Sequence, residues 1–111
     1  MLDWRKIESI EDVENIASSS KDKVQLIFKH STRCSISSMS LNRLEKKWDI
    51  NSQSVELHFL DLIRFRETSN FIAEKFDVYH QSPQVLLIKD EKCVFHCSHN
   101  EISADYIKEH L

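Results

Sequence analysis

An α/β fold is predicted, with a mixed central sheet covered by helices on both faces. Three observations predict it. Apolar residues recur at helical spacing in four separate segments. Between these lie short, nearly continuous apolar runs such as Val24 to Phe28 and Val85 to Ile88, the pattern of strands buried on both faces. The last two strands are separated only by Lys89 to Lys92, which implies an antiparallel hairpin, whereas strands separated by a helix imply a right-handed parallel crossover.

The elements follow in order. A short strand is expected around Trp4 to Ile7. Ser9, with Asp12 three residues on, resembles a capping box and starts a helix carrying Ile10, Val13, Ile16 and Ala17. The strand Val24 to Phe28 comes next. From Cys34 to Trp48, Leu41, Leu44 and Trp48 share one helical stripe, and Arg43, Lys46 and Lys47 suit the negative end of the helix dipole. Val55 to Leu62 is strand-like. Phe65 to Phe76 returns to helical spacing and ends at Asp77, where a C-cap glycine is usual. After the strands Val85 to Ile88 and Cys93 to Ser98, Ser103 caps a last helix, Ala104 to Leu111.

With 111 residues, the chain is expected to form one domain, residues 1–111. A domain this size buries roughly two thirds of its unfolded surface, enough for a core without staples. Composition is that of a globular protein, 41% apolar and 30% charged. No apolar run approaches the roughly 20 residues of a membrane helix, so no membrane association is expected. A net charge of −3 removes the electrostatic basis for dedicated nucleic-acid binding. Three cysteines cannot close a disulfide framework, and no secretory leader is read at the N-terminus, so a reduced, cytoplasmic setting is expected. The chain contains no glycine, where average usage of about 7% predicts roughly eight. Gly-rich phosphate loops are therefore excluded, and left-handed positions must use other residues. Asp77 and one residue of the Lys89 to Lys92 turn are expected at positive φ.

Chemistry concentrates in Phe28-Lys29-His30-Ser31-Thr32-Arg33-Cys34-Ser35-Ile36-Ser37. Cys34 follows a buried strand and is expected in the first turn of a helix, where unpaired N–H groups and the dipole stabilise a thiolate. Thr32 and Arg33 flank it, and Arg33 adds positive charge. Ser37 is expected on the same face, donating its hydroxyl to the sulfur. The single proline, Pro83, stands in Ser82-Pro83-Gln84 just before a buried strand. Only an X-Pro bond takes the cis form at modest cost, and a cis bond here would offer the Ser82 backbone to a substrate at the cysteine. Cys93, His96, Cys97 and His99 crowd together, but strand alternation puts both cysteines on one face and the histidines elsewhere, so no metal site is expected. Along one strand the two cysteines would also lie about 13 Å apart, too far for a disulfide. His30 ends a strand beside Cys34, His58 lies mid-strand as a surface or satisfied core residue, and His80 precedes the proline; none reads as a general base.

Together these motifs resemble the thioredoxin-like superfamily. Within it, the chain resembles the bacillithiol-system YtxJ-type proteins, or monothiol bacilliredoxins. The likeness rests on Phe28 to Cys34, Ile36-Ser37-Ser38-Met39, Ile72 to Phe76 and Ser82 to Ile88, and spans nearly the whole chain. Two departures stand out: Ser35 replaces the family's proline after the cysteine, and Asp77 a favoured glycine. The resemblance implies a three-layer thioredoxin-like sandwich and a monothiol oxidoreductase. In that reading Cys34 removes bacillithiol, or a similar small thiol, from S-thiolated client proteins, with no bound cofactor. Ser37 stands where a dithiol enzyme has its resolving cysteine. Ser82, Pro83, Gln84, Ser98, His99 and Asn100 are the implied substrate contacts, the last three by analogy with the cosubstrate loop of glutaredoxin-like proteins. Two alternatives share these motifs: a glutaredoxin-like protein ligating an iron–sulfur cluster, and a thioredoxin-fold adaptor without redox chemistry.

Overall fold

The computed structural model describes residues 2–111. Its elements are β1 (Arg5–Lys6), α1 (Ile10–Ser19), β2 (Val24–His30), α2 (Ser35–Lys46), β3 (Val55–Asp61), α3 (Arg66–Phe76), β4 (Gln84–Lys89), β5 (Lys92–Ser98), a 3-10 turn (His99–Glu101) and α4 (Ala104–Glu109). The sheet order is β1-β3-β2-β4-β5. β1 and β2 run parallel to β3, while β4 is antiparallel to both β2 and β5.

Strand alternation sorts the core into two layers. Ile27, Leu60, Leu86 and Ile88 meet Val13 and Ile16 of α1 and Ile72 and Phe76 of α3. On the other face Leu26, Phe28, Val85 and Leu87 meet Leu44 of α2 and Ala104 and Ile107 of α4. The result is the expected three-layer α/β sandwich. Trp4 extends the second layer, packing edge-on to Phe28 and Phe59 while its indole N–H donates to Glu45 at 2.9 Å.

The parallel crossover expected between helix-separated strands holds for β2 and β3 but not for β3 and β4. Residues 77–83 carry the chain back to the end of the sheet where α3 began, so β4 enters on the far side of β2, antiparallel to it. Ser9 caps α1 through Asp12 N–H, as its pattern predicts, but the reciprocal bond runs from Glu8 N–H to Asp12, not from Ser9 N–H. The last helix ends at Glu109, two residues short of the expected end, and Trp48 lies beyond α2.

The missing glycines leave a visible mark. Asp77 closes α3 at φ 54°, and Asp90 and Glu91 form the two-residue hairpin turn at φ 51° and 67°. Both central residues at positive φ define a type I′ turn, matched to the twist of its strands. Ser20 holds it from α1's end: its carbonyl accepts Asp90 N–H and its hydroxyl accepts Glu91 N–H, at 3.0 and 2.8 Å.

Candidate active site

β2 delivers the chain to the site. After His30, residues Ser31 to Cys34 make a turn closed by Cys34 N–H on the Ser31 carbonyl at 3.2 Å. Cys34 is half-buried and extended (φ −116°, ψ 117°), so it is the N-cap of α2, one position before the expected first turn. Its carbonyl accepts Ser38 N–H, and the first N–H groups of α2 lack intrahelical partners. Thr32 and Arg33 are exposed on the turn.

Ser37 corrects the sequence reading. It is fully buried, and its hydroxyl does not bond the sulfur: it accepts Ser31 N–H at 3.1 Å and lies 2.6 Å from His30 Nδ1. The hydroxyl oxygen thus bridges the Ser31 backbone and the His30 ring. Burial lowers the His30 pKa, against the opposing pull of Asp61. At the third position of α2, Ser37 faces the strand rather than the N-cap side chain. His30 and Ser37 thus fasten β2, the turn and α2 together under Cys34.

Pro83 is buried, and its peptide bond to Ser82 is cis. Because β2 and β4 are antiparallel and Lys29 pairs with Gln84, the end of β2 and the start of β4 share one end of the sheet. A third segment joins them there. His99 N–H donates to the Pro83 carbonyl at 3.1 Å, and the His99 carbonyl accepts the Ser40 hydroxyl of α2 at 3.3 Å. His99, at φ 54°, and Asn100 are exposed, and Ser98 is half-buried opposite Gln84. The structure therefore gathers Cys34, Pro83 and residues 98–100 at one end of the sheet.

Gln84 departs from expectation. It is 1% exposed and its amide donates to the Tyr79 carbonyl at 3.1 Å, so its side chain lies beneath the sheet surface and not in the path of a substrate. The Ser82 hydroxyl is also buried, without a hydrogen-bond partner, so Ser82 offers backbone groups only.

Cys93 and Cys97 do not share a face. The register shifts at Leu87/Ile88, where Ile88 pairs with Cys93 but Leu87 with Phe95. The bulged residue, Val94, inverts the alternation beyond it. Cys93 packs against the α1/α3 layer, and Cys97 is buried in the α2/α4 layer. Burial raises both thiols, Cys97 to about 12. Among the described residues no group of three or more His, Cys, Asp or Glu is placed to hold a metal ion.

His58 is a satisfied core residue: its Nε2 lies 2.7 Å from the side-chain oxygen Oε1 of Gln25, and burial lowers its pKa to about 4. His80 turns inward. Its Nδ1 lies 3.3 Å from Lys29 Nζ and 3.4 Å from the Ser69 hydroxyl. The sequence reading gave Lys29 no role, yet it is fully buried on the α3 side of β2. Alternation carried the signal, since Lys29 has the same parity as the buried Gln25 and Ile27.

A family model described as "Monothiol bacilliredoxin BrxC" matches residues 5–107. Among solved structures, a candidate oxidoreductase with a thioredoxin fold is 25% identical, with a TM-score of 0.80, over 94% of this chain and 89% of that one. Thioredoxin from Fasciola hepatica is 20% identical (TM-score 0.68; 95% and 93% covered). Thioredoxin from Trypanosoma brucei brucei is 16% identical (TM-score 0.71; 96% and 86% covered). At these identities the two thioredoxins show the fold alone.

Proposed function

This chain belongs to the monothiol bacilliredoxin family, and from that premise we propose that it removes a small thiol, bacillithiol or a close analogue, from S-thiolated proteins through Cys34 alone. Membership itself carries a thiol redox role with partners drawn from a thiol system. In the proposed cycle the Cys34 thiolate attacks the small thiol's sulfur in the mixed disulfide. The Cys34–small-thiol disulfide forms as the client's disulfide breaks, and the client leaves as a reduced thiolate. A second small thiol then attacks this disulfide, restoring Cys34 and leaving as the oxidised dimer of the small thiol. Two electrons pass from the external thiols to the client.

One observation carries the single-cysteine reading. The residue three places after Cys34 is a serine, buried and bonded to His30 and Ser31, so α2 supplies no second thiol. Ser82 backbone groups and residues 98–100 supply contacts for an extended client and for the small thiol. Ile36 and Met39, exposed one turn apart on α2, supply apolar surface for the client.

The experiment is reduction of a bacillithiolated protein, followed by intact mass spectrometry. Wild type and a Cys93→Ser, Cys97→Ser double variant should both release the client thiol when external thiol is present. Cys34→Ser should not. A Cys34–Cys97 disulfide required for turnover would replace this reading with a two-cysteine mechanism.

A further inference from the structure

Beneath the sheet, Lys29 is a cation without a counter-ion. It is fully buried, and the ion pairs among the described residues do not include it. Nζ donates to the Ser69 carbonyl of α3 at 3.2 Å and lies 3.3 Å from His80 Nδ1. Directly across the sheet stands Gln84, whose amide nitrogen holds the Tyr79 carbonyl and whose carbonyl oxygen is buried without a partner. The cross-strand pair thus grips residues 79 and 80, which lead into Ser82 and Pro83. A buried lysine is ordinarily expensive unless paired with a carboxylate. A long apolar side chain would fill the same space, so the amine needs a reason beyond packing.

We propose that Lys29 is a positioning residue: it fixes the segment Tyr79–Pro83 through His80, and so holds the Ser82 backbone where a substrate disulfide at Cys34 meets it. The proposal rests on the functional reading above for the substrate's place, but not for the coupling between Lys29 and the segment. Geometry makes the coupling protonation-dependent. The ammonium gives charge-assisted bonds to the Ser69 carbonyl and His80 Nδ1, about twice as strong as those the neutral amine can give, so deprotonation loosens the hold on His80. The charged or titratable groups facing this cluster are His80 from the segment and Arg66 from the start of α3, which also acts on His80. Neither is an anion, and burial lowers Lys29 to about 8. Burial also lowers His80, with help from Lys29 and Arg66, so its own titration lies below 6.5 and stays separate from that of the lysine.

NMR of the full chain between about pH 6 and about pH 10 tests the coupling. The His80 ring and the Ser82 amide should move together with a midpoint near 8, and Lys29→Met should abolish that step. Turnover of a bacillithiolated protein tests the consequence: KM should rise about fivefold in Lys29→Met, with kcat within about twofold. Should Lys29→Met not fold, His80→Leu makes the same test from the other end. It leaves the Lys29–Ser69 bond intact and should remove the Ser82 step and raise KM alike. An unchanged Ser82 titration overturns the proposal, and so does an unchanged KM in an active protein. A wild type that leaves the mixed disulfide intact overturns the functional reading instead, and the NMR step then decides the role of Lys29 alone.

Discussion

The hydroxyl of Ser37 lies 2.6 Å from Nδ1 of His30 and accepts the Ser31 N–H, and it is this pair that joins the end of β2 to the start of α2 beneath Cys34. Ser37→Ala should therefore act first on stability. It leaves a buried imidazole nitrogen and a backbone N–H without partners, at a cost of about 1–3 kcal/mol. Urea denaturation should show the loss, while the folded variant should still be alkylated at Cys34. A variant as stable as wild type would mean the pair contributes nothing net.

His58 sets an acid limb. Its folded pKa, about 4, lies below its ordinary 6.5, so between those values the unfolded chain binds more protons and stability falls as pH falls. The loss should reach up to about 3 kcal/mol by pH 4, with His30 and His80 adding in the same direction. Denaturant midpoints against pH should show a shallower acid slope in His58→Leu than in wild type.

Lys29 sets a trend of the same sign in alkali. Its folded pKa, about 8, lies below the ordinary 10.5, so in that window the unfolded chain again holds more protons and stability rises with pH. The gain is at most about 1.4 kcal/mol per pH unit. Cys97, raised to about 12 from 9.0, opposes it only above about pH 9, so the comparison belongs between about 8 and 9. Over that interval wild type should gain on Lys29→Met. A constant difference between the two would show that Lys29 does not titrate there.

The hairpin turn carries removable strain. Glu91 at φ 67° pays more than Asp77 at φ 54°, because aspartate tolerates the left-handed region better than glutamate. Glu91→Gly should raise stability by about 1 kcal/mol, and Asp77→Gly should be neutral or slightly stabilising. The exposed Lys21–Glu91 contact at 3.8 Å offsets little of this. Thermal melts of the two variants should rank them in that order.

Local and periodic features were legible in the sequence. The order of helices and strands, the Ser9 and Ser103 caps, the left-handed Asp77 and the strand–turn–helix placement of Cys34 follow from interactions within a few residues, which any sequence window contains. The motifs from Phe28 to Ser37 and around Pro83 likewise sufficed to identify the family. What only tertiary structure decided involves partners far apart in the chain or changes of parity. Ser37 lies one helical turn from Cys34, but which neighbour takes its hydroxyl depended on how α2 rolls onto β2. Cys93 and Cys97 were separated by one bulged residue, which inverts a strand's two faces and leaves no trace in an apolar pattern. Gln84 enters as a substrate contact by resemblance, as a neighbour of Pro83, but it is 1% exposed and its amide donates to the Tyr79 carbonyl, which only the packed fold shows. Lys29 has no role in the sequence reading, because alternation with Gln25 and Ile27 points its side chain inward but does not name its partners, Ser69 of α3 and His80, which lie 40 and 51 residues along the chain.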